Sequence, residues 1–487
     1  MVVIREKKSI FKDEKDVLKN VRNIVTTNQF RHIPSITEEE RDDYLEKLVE
    51  DSRVEVIRDD LVEHYPDEVM RAFTSKASRE KLTKLVQEEQ RFGKDDEGQK
   101  KAAYVVNEIV GFEFIDRLLL HDESITDIGW NSTFLTVESA DQLRIYTAEQ
   151  LQLTDPEKTV FRIVKKFADA VGKPFTRNDP ILDSVSGNLR LNAMHQVISP
   201  TGTTMSLRVS RPGLALTEET FVDFAPSFVL EFLKIIMKAG SMSVIGGETG
   251  SGKTELIKMM LSFVPKKDRI FMIEDVPETR IKELLPDHDI FSLVTGNIVT
   301  ISDLVQAALR NYPKWIVPSE TRGSEAYEMI QAARTNHSGL TSIHSTNCRA
   351  HPRRLVTMSS MGYKINEEAV TEDILTFFDF GFQIKTAYIE IDSENLIFKK
   401  IRYLSEIVEY SVKDTATTLF KQVLNNGQFY VTTGQLSDQY KEKLAERFLS
   451  FDFPEMTNEK INKSEELEQI LQKAVAEFAN QSTSDGS

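Results

Sequence analysis

The chain has 487 residues, 40% hydrophobic and 28% charged, with a net charge of −16. That balance is ordinary for a globular chain of about three domains, and its acidity argues against tracking along a nucleic-acid backbone, which needs a basic groove. A single cysteine, Cys348, excludes an internal disulfide and fits a reducing compartment. No apolar run approaches the roughly 18 residues of a membrane span. The opening MVVIREKKSIFKDEKD lacks the apolar stretch of a signal peptide, so the expected location is the cytosol, with any membrane association made through partners.

Residues 1–103 read as a charged, helical extension. TEEERDDYLEKLVEDSRVEVIRDDLVEHY sets Tyr44, Leu45, Leu48 and Val49 at helical spacing behind a capping Thr37. FGKDDEGQKKAA, Phe92 to Ala103, reads as a polar break. From 104 to 209 a helix, VVNEIVGFEFIDRLLLH, is followed by short alternating runs (ITDIGW, FLTVES), a helix around Val160 to Ala170, then LRLNAMHQ and TMSLRVS. The mixture predicts a small α+β domain. Residues 210–227, with Pro212 and Pro226, read as a linker.

From 228 to 412 the pattern is α/β. FVLEFLKIIMKAG is an amphipathic helix ended by Gly240. SVI, RIFMIE, KWIVP and LTSIH read as buried strands, with helices at Asp303–Asn311 and Glu325–Thr335 between them. Residues 413–487 read as further strands and late helices, closing on a tail, ANQSTSDGS, expected to be disordered.

GGETGSGKTELIKMM carries G-x-x-x-x-G-K-T from Gly247 to Thr254, between a strand and a helix. That context is what a phosphate-cradling loop requires. Its glycines let backbone N–H groups approach phosphate, and the helix N-terminus adds a favourable dipole. The candidate nucleotide-binding residues are Gly247, Glu248, Thr249, Gly250, Ser251, Gly252, Lys253, Thr254 and Glu255. Lys253 is expected to pair with the β- and γ-phosphates of ATP, and Thr254 to ligate Mg2+. Downstream, KWIVPSE offers Glu320 just past a strand, although a surface glutamate would read the same way. RIFMIEDVPE offers Glu274, Asp275 and Glu278, equally readable as a solvated loop. His337 and His344 stand seven apart in TNHSGLTSIHST. No cysteine or carboxylate spacing completes a zinc site there, so sensing the γ-phosphate or relaying between subunits is the better reading.

Taken in order, the phosphate loop, IEDVPE, LRNYPKWIVPSETRGSEA and NHSGLTSIHS resemble the secretion and type IV pilus ATPase superfamily. DSVSGNLRLNAMHQVISPTGTTMSLR, SITDIGWNSTFLTVES, LSEIVEYS and NGQFYVTTG are similar to its tight-adherence pilus and conjugation branch. The likeness spans about residues 105 to 435. It implies a RecA-like P-loop NTPase domain preceded by the α+β domain and the helical extension. It also implies a Mg2+-dependent ATPase that forms a homo-oligomer, a hexameric ring, and drives integral-membrane platform subunits, with no direct contact to nucleic acid. By the same resemblance Glu320 activates water, and Glu274 and Glu278 organise the Mg2+ and water network, with Glu274 also a metal ligand. His337 and His344 lie near the nucleotide edge, and Arg190 and Arg208 close over the phosphates. Arg310 and Arg322 are weaker candidates. Ser319 stands where the family usually has glycine, and Pro318, Glu248 and Glu255 are further departures, so fast hydrolysis is not implied. A small-molecule kinase, a DNA-translocating P-loop ATPase and an ATP-binding scaffold with little hydrolysis are the alternatives.

Overall fold

The computed structural model describes residues 30–32, 48–65, 68–69, 72, 76–210, 213–296, 298–392 and 395–484. Thr37, Tyr44 and Leu45, on which the first expected helix rests, lie outside them. The chain divides at Ser210 into two compact units. One is Ser35–Ser210 with Glu394–Ile397; the other is Met1–Pro34 with Arg211–Ser393 and Phe398–Ser487. The second holds strand β1 (Phe30–His32), and the first holds β2 (Asp127–Trp130), β3 (Phe134–Glu138), β4 (Gln142–Thr147), β5 (Ile181–Ser186), β6 (Leu189–Met194) and β7 (Thr204–Val209).

In the first unit β2 to β7 form an antiparallel sheet in the order β5-β6-β7-β2-β3-β4. Alternate residues point inward, as period-2 patterning requires, and pack on the helix Pro156–Ala170 through Val160, Ile163, Val164 and Phe167. Asp155 caps that helix by accepting from the Lys158 amide, and Pro156 presets its first turn. Two sequence readings need correction. The polar break lasts only to Asp95, which accepts from the Gly98 amide and so starts the helix Asp96–Val110 inside FGKDDEGQKKAA. The helix expected to run on to His121 stops at Gly111 and restarts at Phe114, because Glu113 has a positive φ (56°) that no helix continues through. Ala102, Tyr104, Val105, Val106 and Ile109 then bury against Ile57, Leu61, Leu82 and Val86. One helix crosses residue 103, so the described extension and the α+β domain are continuous.

In the second unit β8 (Met242–Gly246), β9 (Ile270–Glu274), β10 (Ile290–Val294), β11 (Trp315–Pro318), β12 (Ser338–Ile343) and β13 (Phe380–Asp392) form a parallel sheet. Their order is β10-β9-β11-β12-β8-β13, with β1 added beside Tyr388–Glu390. Successive residues enter opposite cores: Ile245, Met272, Trp315 and Val317 on one face, Val244, Ile273, Ile316 and Ile343 on the other. Helices cover both faces, which is why these strands read as unbroken apolar runs. The α/β fold expected from the sequence is the fold observed.

A ribbon of β14 (Ile397–Ser411), β15 (Thr415–Asn425), β16 (Gln428–Thr433) and β17 (Glu459–Ile461) pairs antiparallel from β14 to β17. It is not an appendage. Leu419, Phe420, Val431 and Phe453 share one core with the helix Ser227–Ala239 and β8, and Phe232 packs its ring on Phe380, Phe451 and Phe453. Phe221 and Phe224 of the expected linker are buried in that same core. The tail ANQSTSDGS opens as the end of the helix Glu465–Ser484, and its last three residues lie outside the described ones.

Phe453→Ala is therefore expected to cost about 3–5 kcal/mol, the usual penalty for emptying a buried aromatic site. Denaturant unfolding of Phe453→Ala and Phe232→Ala should give matching single transitions. A separate early transition for the C-terminal ribbon would contradict a shared core.

Candidate active site

The site is built at the carboxyl ends of the parallel strands, where the chain leaves β8 and crosses three positions over to β9. Such a switch point leaves a crevice that ligands fill. Gly246 and Gly247 close β8 with no room for a side chain. A Cβ on Gly246 would overlap the His351 ring and the Gln383 amide, and one on Gly247 would overlap the Ser251 hydroxyl and approach the Ile384 carbonyl. Gly250 (φ 70°) and Gly252 (φ 93°) take left-handed conformations, turning the loop into the helix Lys253–Ser262. Lys253 is buried and its Nζ donates to the carbonyls of Gly247 (3.0 Å) and Glu248 (2.8 Å). Ser251 Oγ is buried with no hydrogen-bond partner. Glu248, Thr249 and Gly250 form the exposed rim. Narrow glycine walls, a buried ammonium and an orphaned hydroxyl fit a phosphate chain.

Glu255 does not share in this. Its carboxylate accepts from the Ala215 amide (2.9 Å) and from Lys258 (2.8 Å), while Lys258 also donates to Gly213 (3.0 Å). It braces the incoming segment against the helix, so the expected place for Glu255 among the nucleotide-binding residues is not the one its side chain takes.

Glu320 follows β11, pinned from both sides. Ser319 donates through its amide to Ile273 of β9 (2.9 Å), and Thr321 to Ser342 of β12 (2.8 Å). Pro318 has no N–H, and the β11–β12 ladder ends at Ile316/Gly339. The Ser342 hydroxyl spans the gap by donating to the Ser319 carbonyl at 2.8 Å. Arg322 donates to Glu320 Oε2 at 2.5 Å. His344 Nε2 lies 3.0 Å from Oε1, but the approach is not aligned for a hydrogen bond, and that buried oxygen has no hydrogen-bond partner. Burial pushes the Glu320 carboxyl up, yet the bond and charge of Arg322, with His344 and Lys253, more than offset this and hold it below its ordinary value. Glu320 is thus an anion in the field of the loop lysine. The Arg322 guanidinium is held above its usual value by its bond to Glu320, against desolvation, with Asp275 and Glu278 adding to the rise.

Glu274 ends β9 almost wholly buried. Its oxygens accept from the Thr279 amide (2.9 Å) and hydroxyl (2.7 Å), and burial raises its carboxyl above the ordinary value despite those bonds. It shapes the loop that carries Asp275 and Glu278. Among the described residues no three metal-ligating side chains converge. A Mg2+ here would rest on the Thr254 hydroxyl, phosphate oxygens and water, the usual habit of that ion.

The two histidines part company. His344 follows β12 beside Gly247, whereas His337 precedes the strand at the opposite edge of the sheet, roughly 23 Å away at about 3.3 Å per residue. Within one chain His337 is not near the loop, and exposed Arg310, just before β11, shares its edge. In the other unit Arg190 and Arg208 stand directly opposite one another on β6 and β7. Asp183 accepts from Arg190 at 3.4 Å and Asp127 from Arg208 at 3.0 Å, relieving the repulsion of that pair.

Two contributors were invisible in the sequence. Arg402 of β14 donates to the Gly250 carbonyl at 3.0 Å, 152 residues away. His351 is fully buried between Gln383 (3.2 Å) and the Tyr410 hydroxyl (2.9 Å), and Gln383 donates to the Ser345 carbonyl (2.9 Å) next to His344. No local motif marks either one; only tertiary pairing brings them to the loop.

The family described as type II/IV secretion system protein matches residues 181–375, from β5 to the helix Glu367–Phe377. An uncharacterised protein of Bacillus anthracis is 43% identical over 412 residues, 83% of this chain and 93% of that one. A Mycobacterium tuberculosis protein provisionally named for conjugal transfer is 30% identical over 275 residues, 52% of this chain and 75% of that one. This chain belongs to the type II/IV secretion system protein family. The matched span takes in Arg190, Arg208, the glycine-rich loop, Glu320 and both histidines. A looser likeness is to the crystal structure of the VirB11 ATPase from the Brucella suis type IV secretion system in complex with sulphate. It is 22% identical with a TM-score of 0.33, over 61% of this chain and 93% of the other.

Burial lowers the His351 imidazole from 6.5 to about 4, against the bond to Gln383, which raises it. Its folded value lies below its unfolded one, so stability is intact above pH 6.5 and is lost as pH falls towards 4. Linkage puts the loss between pH 7.5 and pH 5 at about 2 kcal/mol. His351→Gln should flatten that difference in unfolding free energy; an unchanged pH slope would mean the imidazole does not titrate with folding.

Proposed function

We propose that this chain is a Mg2+-dependent ATPase that powers a membrane secretion, pilus-assembly or conjugation machine from its cytosolic face. The observation that carries the reading is the placing of Glu320 within the charge field of Lys253. A buried ammonium on a phosphate-shaped loop sits in the field of an ionised carboxylate that keeps one buried oxygen without a hydrogen bond. Bound ATP with Mg2+ would supply the transferable phosphoryl group. The chain's residues would do the rest: Lys253 and the loop amides bind phosphate, Thr254 faces the cation, and Glu320 orients a water and takes its proton. Relatives named for conjugal transfer and for type IV secretion favour the machine-driving role, and by the resemblance the working form is a hexameric ring on integral-membrane platform subunits. Among the described residues no helix is long and apolar enough to cross a membrane, so membrane contact would go through such partners.

A second reading has one observation in its favour. Arg322 engages Glu320 directly, and a carboxylate held this way is slow to serve as a base, which suits an ATP-binding scaffold with little turnover. Phosphate release measured beside equilibrium nucleotide binding separates the two. Glu320→Gln should keep ATP bound while hydrolysis falls at least roughly 100-fold, the scale of a lost general base. Lys253→Ala should lose binding. A wild-type protein that binds ATP and releases no phosphate would reject the ATPase reading and leave the scaffold.

Arg190 and Arg208 belong to the proposal as groups that close over the phosphates. Arginine fingers contribute roughly 10³–10⁵ in rate in well-studied NTPases. Arg190→Ala and Arg208→Ala should each lower kcat far more than ATP affinity, and Arg→Lys should restore it only in part, since a fork of donors becomes a point charge. Wild-type kcat in either alanine variant would return these residues to their ion pairs with Asp183 and Asp127.

A further inference from the structure

The phosphate loop is held from within by Lys253 and from the β14 side by Arg402. Arg402 Nε donates to the Gly250 carbonyl at 3.0 Å, and its Cδ lies 3.3 Å from where a Cβ on Gly252 would stand. One side chain therefore bonds one left-handed glycine of the loop and fills the space beside the other. Its backbone is a fixed reference. Ile401, Tyr403 and Leu404 around it are buried, the Leu404 carbonyl accepts from Gln422, and the Ser405 hydroxyl donates to the Gln383 carbonyl. The loop is the opposite case, since glycines at 246, 247, 250 and 252 leave its backbone many alternatives.

A peptide unit is planar and trans, so holding the Gly250 carbonyl towards Arg402 turns the Ser251 N–H to the loop interior, where it meets the Glu248 carbonyl at 3.3 Å. Phosphate loops bind through inward amides, and binding is tighter when that arrangement exists beforehand. We propose that Arg402 is a positioning residue for the nucleotide, acting through the Gly250 carbonyl to keep the loop in its anion-binding shape. This rests on the nucleotide-site reading above. It makes the C-terminal ribbon part of the binding apparatus, reaching the loop at Gly250 while Lys253 holds Gly247 and Glu248.

The expected signature is a split between affinity and rate. A bound triphosphate can impose the loop shape itself, so saturating ATP should restore turnover. Arg402→Ala should weaken binding of a fluorescent ATP analogue and raise KM for ATP roughly ten- to hundredfold, the scale of one charged hydrogen bond. Its kcat should stay within about twofold of wild type by the same argument. Arg402→Lys, which can still donate to the carbonyl, should recover most of the affinity. Lys253→Ala is the control for an emptied site. Wild-type affinity in Arg402→Ala overturns the proposal. So does a weakened affinity that Arg402→Lys fails to recover, or a fall in kcat as large as the rise in KM. If Arg402→Ala does not fold, Arg402→Lys decides alone: affinity within about threefold of wild type is expected, and affinity as low as Lys253→Ala overturns it. A wild-type protein that binds no nucleotide would instead overturn the site reading and take this inference with it.

Discussion

The end of β8 is packed so closely that only glycine fits, and the site depends on that contact. His351 and Gln383 press on Gly246 while Ser251 and Ile384 press on Gly247. The chain turns there through the left-handed steps at Gly250 and Gly252 that lead to the helix Lys253–Ser262. Any larger side chain would push β8 away from β13 or displace the imidazole from a pocket where it bonds to Gln383 and Tyr410. The loop's shape therefore depends on a buried polar cluster beneath it as well as on the loop's own sequence. Buried polar groups of this kind are stable when all are satisfied and costly when one is lost.

The same cluster links the two chemical halves of the site. Gln383 aligns with Gly246 on one side and donates to Ser345 on the other, so one amide spans the end of the phosphate-loop strand and the end of the histidine strand. From Ser345 it is one residue to His344 and one contact to Glu320. Glu320 is fixed by a different means: a proline that stops the ladder and a serine hydroxyl that replaces the missing rung. Pro318 and Ser319, which depart from the usual pattern in the sequence, are thus accommodated by a local exchange of hydrogen bonds.

Legibility followed the range of the interaction. The glycine-rich loop between strand and helix, the buried strands and the place of Glu320 just past β11 are legible because each is specified within a few residues: glycine spacing, unbroken apolar runs, a carboxylate after a strand. Arg190 and Arg208 lie on two strands that the alternating runs predict, and only the register puts them directly opposite. The failures were boundaries and long-range partners. The start of the helix at Asp96 is hidden because its first turn is polar and its cap, Asp95 to the Gly98 amide, looks like part of the break. Phe221 and Phe224 were counted in a linker because their core is supplied by residues two hundred positions later. Glu255 looked like an acidic neighbour of the phosphates until Ala215 and Lys258 engaged it. Arg402 and His351 carry no local signature, because what matters is the surface each one meets.

β8 lies inside its sheet, and both strands beside it come much later in the chain. The Met242 amide donates to Asp379, 137 residues on, and β12 on the other flank begins at Ser338. A nascent chain that has emerged only through the phosphate-loop motif has the signature residues without the pairing that shapes them. Sheet closure waits for the segment around Phe380 to leave the ribosome, and the ribbon bearing Arg402 follows it. Until then the apolar strand 242–246 lacks its full set of neighbours, the kind of transient edge that invites mispairing. The binding site is thus assembled late in synthesis, although its motif is made near the middle.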